Sequence, residues 1–432
     1  MKKILPLMLV FSITFVLMGC ATLWTPPEKN DLKIVDHQIH RDKKAIIIRA
    51  VHVPGLLEKG AALEYMVPAM AKIAKVGANG ICLDLAGFSA DGKSLDPAVA
   101  ETIESYAERA KDQRMVCVIN VLGDSRDSTF RKNAVRSAAK VLGTQRKALY
   151  IIDGPDAPPL AASFKRLAPN LVLAAPENGD VKIMTDPAVA GNNGLVLLSG
   201  SLPEEPWGNT NYLLPDNDQS YTMLDEAYTN PVEKMPWTPD NSKLSEEEQA
   251  EGFVSLFNGV DLDNWWNYYH EGESFRINDD GYLECYKAGA GGLVTRDRYE
   301  DFILRLEYKF NDADANSGIH LWVPRAARQS KIGFEIQLMG DSDLKEPHDT
   351  STGAVYDVVP ALTVATHPEG EWNALEIQTQ GSHLKVTLNG IIIQDFDMDE
   401  VEELRYRLRK GFIDLQDHDD YVVFRNIRIK EL

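Results

Sequence analysis

Residues 45–199 repeat one pattern, a short run that is apolar on both sides followed by a longer amphipathic stretch. The runs at 45–51, 80–85, 116–122, 148–153, 171–175 and 194–199 are rich in Val, Ile and Leu without alternation, as strands buried on both faces are. The stretches at 63–76, 97–113, 129–142 and 159–167 have helical spacing, with Val67, Met70, Ile73 and Ala74 on one stripe. Asp96 before Pro97 supplies an N-cap and a first-turn proline. Repeated strand–helix–strand units predict a parallel sheet with right-handed crossovers. Beyond residue 250 the period changes to two, in strands at 302–310, 317–323, 333–338, 372–379, 384–388, 391–396, 411–416 and 421–430. Asn389-Gly390 marks a hairpin turn between two of them. So many strands in one domain-sized stretch predict a β-sandwich. The chain therefore divides into an α/β domain at 44–200 and an all-β domain at 251–432. The stretch between them, 201–250, is rich in Pro, Asn, Asp and Tyr, has no lasting period, and reads as a linker. Trp207, Tyr212 and Trp237 within it read as packing residues ahead of sugar-stacking ones.

The amino terminus carries an address. Lys2 and Lys3 precede a nearly unbroken apolar run, 4–18, that ends in Leu17-Met18-Gly19-Cys20. The run is short for a membrane span, which needs about 20 residues. It resembles a bacterial lipoprotein lipobox, with an ordinary signal peptide or a membrane helix as the alternatives. The resemblance implies cleavage of 1–19, acylation of Cys20, and a globular part outside the cytoplasm. Several acyl chains on one residue anchor stably. Ala21, where an Asp would hold the protein at the inner membrane, points to the outer membrane. Pro26 and Pro27 sit in a polar stretch, so 20–43 reads as a tether.

Charge narrows the partners. Lys+Arg number 45 and Asp+Glu 65, a formal charge of −20 over 432 residues, which disfavours nucleic acid. Four cysteines cannot build a disulfide scaffold. Cys82 and Cys117 lie in apolar runs and read as buried strand thiols, and no partner stands at metal-ligand spacing.

The α/β pattern resembles the (β/α)-barrel of the glycoside-hydrolase superfamily, although six strand signals are fewer than eight; an incomplete barrel and a doubly wound open sheet both remain as readings. In either, sites gather at the carboxyl ends of strands. His52, Asp84, Asn120, Asp153 and Glu177 stand there. Asp153 and Glu177 follow successive strands, and a retaining glycosidase needs two carboxyls about 5–5.5 Å apart. Asp153-Gly154-Pro155 and Glu177-Asn178-Gly179 are also ordinary turn chemistry.

Alternation sorts the sandwich. With Phe334, Ile336 and Leu338 inward, Glu335 and Gln337 face out. With Ile319 and Leu321 inward, His320 and Trp322 face out. With Ile413 and Leu415 inward, Asp414 and Gln416 face out. One face then holds Glu335, Gln337, His320 and Gln416. Gln337 stands where a second acid would be needed, so the two-acid arrangement of ordinary glycosidases is missing.

Ordered motifs run through the same domain: Gly252-Phe253-Val254-Ser255-Leu256-Phe257-Asn258-Gly259, Asn316-Ser317-Gly318-Ile319-His320, Gly333-Phe334-Glu335-Ile336-Gln337-Leu338, Thr352-Gly353-Ala354-Val355-Tyr356, Gly370-Glu371-Trp372-Asn373, and Leu415-Gln416-Asp417-His418. Together they resemble the 3-keto-disaccharide hydrolase domain family. The resemblance implies a concanavalin-like jelly roll with a concave, sugar-facing sheet. It implies an exported or surface-tethered bacterial protein acting on 3-keto-glycosides by elimination and hydration. That chemistry asks for a base, an acid and a group that polarises the ketone. His320 or Glu335 is the expected base; Tyr356, His348 and Gln337 are the acid or polarising candidates. Asn316, Gln337, Trp322, His348 and Gln416 are the expected substrate contacts. A divalent cation held by His320, Glu335 and Asp341 is the one cofactor entertained. The sequence departs from the family at Leu321–Pro324, where an arginine is common and Arg325 comes late, and at Asp414 and Asp419, which replace glycines. A non-catalytic carbohydrate-binding lipoprotein, and a glycosidase whose site lies in the first domain, stay open as alternatives.

Overall fold

The computed structural model describes residues 31–36, 38–41, 44–123, 127–184, 194–197, 211–268, 273–286 and 291–432. The signal-like segment, Cys20 and Trp207 lie outside the described residues.

The first domain is a closed barrel of eight parallel strands in chain order: Arg49–His52, Gly80–Asp84, Val116–Asn120, Ala148–Ile151, Val172–Ala175, Val181–Met184, Gly194–Leu197 and Asn211–Pro215. Closure excludes the open doubly wound sheet. Two of these strands were not legible as such. Lys182 interrupts the apolar run of one, and a turn instead of a helix separates it from its predecessor. The other, Asn211–Pro215, lies inside the stretch read as a linker. It pairs with Arg49–His52 and seals the barrel, and Asn211 Oδ1 accepts the Ile48 N–H at 2.7 Å. The helix Asp218–Tyr228 follows, capped by Asn217. The linker at 201–250 is thus corrected: its described part supplies the last strand and helix of the barrel. Tyr212 is buried in that strand, and Trp237 packs on the sandwich core.

The tether at 20–43 is corrected in its described part, residues 31–36 and 38–41. Leu32–Val35, Gln38–Arg41 and Lys44–Ala45 form a three-stranded antiparallel sheet. Leu32 and Ile39 join Ile48, Ala50, Val118 and Leu149 in the cluster that fills the barrel, and Leu32 N–H donates to Arg146 O, just before the strand Ala148–Ile151. The sheet is a plug at the amino end; two apolar residues leaving water drive it. Cys82 points into the barrel and Cys117 out towards the helices. Both are free and buried, and opposite faces of the sheet keep them apart.

The second domain packs two antiparallel sheets. One runs Phe275–Ile277, Leu283–Cys285, Val422–Glu431, Phe302–Phe310, Asn373–Gln380, His383–Leu388, Ile391–Asp397, with Val254–Ser255 paired to Val422–Glu431. The other runs Trp265–Asn267, Leu293–Thr295, Phe412–Leu415, Asn316–Val323, Phe334–Met339. Strict alternation in Phe302–Phe310 buries Phe302, Leu304, Leu306, Tyr308 and Phe310 between the sheets. This is the expected jelly-roll sandwich.

The two domains are joined by more than the chain. The loop after Asn316–Val323 reaches the barrel, where Ile332 enters the barrel's own outer core. Arg325, whose side chain is 4% exposed, bonds Glu233 through both terminal nitrogens and Asp225 at 3.2 Å. Arg109 of the barrel meets Glu403 in a paired contact at 3.2 and 3.3 Å. This contact is the reason one wall of the pocket described below comes from the barrel.

Candidate active site

The five-stranded sheet has two parts on its outer face. Trp266, Tyr268, Val294, Val323 and Phe412 make an apolar patch covered by Val232. The rest is polar and forms a pocket with about 670 Å³ of empty space, lined by His320, Glu335, Gln337, Asn316, Tyr356 and Gln416, with Asp417 and His418 beside them. The four positions expected on one face, His320, Glu335, Gln337 and Gln416, therefore converge, with Asn316 beside them.

Register builds the centre. His320 is opposite Glu335 on one neighbouring strand and Asp414 on the other, which places three charged side chains in one row. His320 Nδ1 lies 2.7 Å from Asp414 Oδ2, and Nε2 lies 3.3 Å from Glu335 Oε2. Side-chain exposures are 5% for His320, 3% for Glu335 and 0% for Asp414, so none of these charges is screened by water. Burial alone would strip the proton from His320, but the two carboxylates outweigh it and hold its pKa up to about 10. Burial raises the Asp414 carboxyl, against the pull of His320. At neutral pH His320 is an imidazolium with both N–H groups occupied. An imidazolium has no free lone pair to accept a proton, which favours Glu335 of the two expected bases.

Two glycines make room for this row. A Cβ at Gly318 would collide with the Glu335 carboxylate, and one at Gly292 with that of Asp414. The carboxylates lie flat over neighbouring strands only because those positions lack side chains.

Amides surround the row. Gln337 Nε2 donates to Asn316 Oδ1 at 3.0 Å, and Asn316 Nδ2 lies 3.5 Å from His418 Nε2. The Asn316 N–H donates to Asp420 Oδ2 at 2.9 Å. Among the described residues, Gln337 Oε1, Gln416 Oε1 and Asp414 Oδ1 are buried acceptors without a hydrogen bond. Buried acceptors of this kind need a donor, and hydroxyl groups of a ligand are suitable ones. Tyr356 is half-buried at the edge, fixed by its N–H donating to Glu335 O at 3.0 Å.

Three expected residues lie elsewhere. Trp322 has φ +54 at a point where the pairing register shifts between His320 and Val323. That bulge turns its ring inward, fully buried and edge-on to Phe334. His348 sits on an exposed turn, where its Nδ1 accepts the Thr350 N–H at 3.3 Å. Asp341 accepts the Thr352 N–H at 2.7 Å and the Thr366 hydroxyl at 3.2 Å. With Asp341 engaged there and both His320 nitrogens on carboxylates, this donor set does not fit a metal ion. Among the described residues no other His, Cys, Asp and Glu side chains group to hold one.

Sequence reasoning passed over Asp414, although the same alternation that selected Gln416 turned it outward. Arg114, Arg328 and Ser330 also line the pocket. Arg114 belongs to the barrel, and no local pattern links it to the sandwich.

At the carboxyl end of the barrel, Asp84 Oδ1 meets His52 Nε2 and Asn120 Nδ2, each at 2.8 Å. The Asp153 carbonyl accepts Arg131 at 2.5 Å, Glu177 is exposed on a turn, and no hydrogen bond or ion pair among the described residues joins the two.

Residues 252–430 match the family model of the 3-keto-alpha-glucoside-1,2-lyase-like domain. A relative from Bacteroides thetaiotaomicron, the 3-keto-disaccharide hydrolase, is 23% identical over 231 residues, covering 42% of this chain and 79% of that protein. Among solved structures, a protein from Parabacteroides distasonis is 27% identical with a TM-score of 0.38, over 44% of this chain and 98% of that one. A beta-glucanase from Bacillus licheniformis is 9% identical with a TM-score of 0.31, over 42% and 99%.

Proposed function

We propose that this chain is a glycoside hydrolase that cleaves 3-keto-glycosides by elimination followed by hydration, a reading supported by the match of residues 252–430 to the 3-keto-alpha-glucoside-1,2-lyase-like domain model. The observation that carries the reading is the buried Asp414–His320–Glu335 row at the floor of the pocket. A ketone at C3 acidifies the C2 proton, so a single carboxylate suffices as base. Glu335 takes that proton. The C–H electron pair becomes the C1–C2 double bond as the C1–O bond breaks. The departing oxygen keeps its electron pair and takes a proton from Tyr356. Water then adds at C1 and a proton returns to C2, which gives net hydrolysis. His320 orients Glu335, and Asp414 helps keep His320 charged. The amides of Gln337, Asn316 and Gln416 bind the sugar hydroxyls and the ketone oxygen. This division of labour explains why Gln337 stands where a two-acid glycosidase has its second carboxyl.

The test is release of the free aglycone from matched natural and 3-keto disaccharides by the full chain. Cleavage confined to the keto sugar is expected. Equal cleavage of both, or saturable binding with no cleavage, defeats the reaction.

The reading extends to location. Export and acylation at Cys20, with the catalytic domain outside the cytoplasm, place the enzyme among extracellular or periplasmic glycans. Support comes from the lipobox-like Leu17-Met18-Gly19-Cys20. The variant Cys20→Ala is expected to move the protein from the membrane fraction to the soluble one; an unchanged membrane fraction argues for an uncleaved helix.

A further inference from the structure

We propose that the barrel domain completes the sugar pocket, with Arg114 binding the aglycone of the substrate. The inference rests on the proposed reaction and extends it from the cleaved sugar to the leaving group.

Arg114 lies between the helix Ala98–Asp112 and the strand Val116–Asn120 of the barrel, yet lines the same pocket as His320 and Glu335 of the sandwich. Its neighbourhood is fixed. The buried Gln113 accepts the Arg328 N–H through its carbonyl at 2.9 Å, and Arg328 also lies 3.7 Å from Asp112. The Ala326 N–H donates to Ala74 O at 3.1 Å. The sandwich loop that carries Arg328 and Ser330 to the pocket is therefore held by barrel backbone, and Ile332 on the same loop is anchored in the barrel core.

Arg114 also has φ +57. That left-handed conformation favours Gly or Asn after a helix and is strained for other residues. A long cation stands there despite the cost, at an exposed position on the pocket rim. Observed backbone strain of this kind points towards a role for the side chain.

Place and chemistry set the ligand. Glu335 and His320 are buried at the floor, so the reacting sugar sits deep and its leaving group lies towards the rim. A guanidinium there presents a planar fork of donors, which suits the vicinal hydroxyls or ring oxygens of a second sugar. A methyl leaving group, with neither hydroxyls nor a ring face, offers nothing to that fork.

The experiment compares the full-length wild type with Arg114→Ala, Arg114→Lys and the charge-matched control Arg166→Ala, on a 3-keto disaccharide and on methyl 3-keto-glucoside. Expected for R114A is a rise in KM of about tenfold or more on the disaccharide, with kcat within about threefold, and no change beyond twofold on the methyl glycoside. R114K should recover part of the loss, and R166A should match the wild type. Equal KM changes on both substrates, or none on the disaccharide, overturn the inference, as does an R166A effect equal to that of R114A. A wild type inactive on both keto substrates defeats the reaction itself and this inference with it, so the two failures are told apart.

Discussion

Glu335→Gln is expected to lower kcat on a 3-keto disaccharide by about 10²–10⁴-fold, the range for loss of a positioned general base. KM should move little, because the amide keeps the shape of the carboxylate and its oxygen still accepts the His320 N–H. The mutation removes only the group that takes the C2 proton, and that group acts in the transition state. Steady-state kinetics and a melting curve separate loss of chemistry from loss of fold. Asp84→Asn, at the carboxyl end of the barrel, should stay within twofold of the wild type. An E335Q enzyme with more than half the normal kcat would remove Glu335 from the mechanism, and a D84N enzyme without activity would move the chemistry into the barrel.

His320→Gln should cost stability on the order of 3–5 kcal/mol, since it leaves the carboxylates of Asp414 and Glu335 buried with no cation between them. For a domain of this size that corresponds to a fall in the melting midpoint of roughly 6–20 °C. The pH dependence is the more specific signature. The folded pKa of His320 is about 10, above an unfolded value of about 6.5. The folded state therefore holds the proton more tightly. The stabilisation is complete below about pH 6.5 and is lost as pH rises through about 10. Urea unfolding of the wild type should weaken across that window, and the H320Q slope should be flatter. Parallel slopes for the two proteins would show that His320 is not an imidazolium held by its neighbours. The same linkage predicts a high-pH limb in activity, because deprotonation of His320 leaves Glu335 beside a neutral ring.

These expectations explain how much of the site was legible beforehand. Period-two alternation put His320, Glu335, Gln337 and Gln416 on one face, since side chains must alternate on a pleated strand. The same rule failed at Trp322, where a bulge inserts a residue out of step and sends the indole into the core. A bulge is set by pairing between strands distant in sequence, so a rule applied within one strand does not register it. His348 and Asp341 failed for a related reason: loop residues have no period, and their contacts with Thr350, Thr352 and Thr366 arise only from the folded loop. The protonation of His320 was equally hidden. It depends on two carboxylates brought from 15 and 94 residues away in the chain.

The barrel divides along the same line. Six of its strands were plain from apolar runs buried on both sides, because burial imposes composition. The strand Asn211–Pro215 carries a polar Asn at one end and a proline at the other, and its assignment rests on Arg49–His52, the neighbour it closes against. By itself, then, the sequence determined what local physics dictates: two domain classes, the strand faces, the outward charged residues and the family they resemble. Tertiary structure alone decided that the barrel closes, that Asp414 and Glu335 together hold His320 protonated, and that Arg114 reaches a pocket in another domain. Each of these depends on contacts between distant segments, and such contacts leave no local period in the chain.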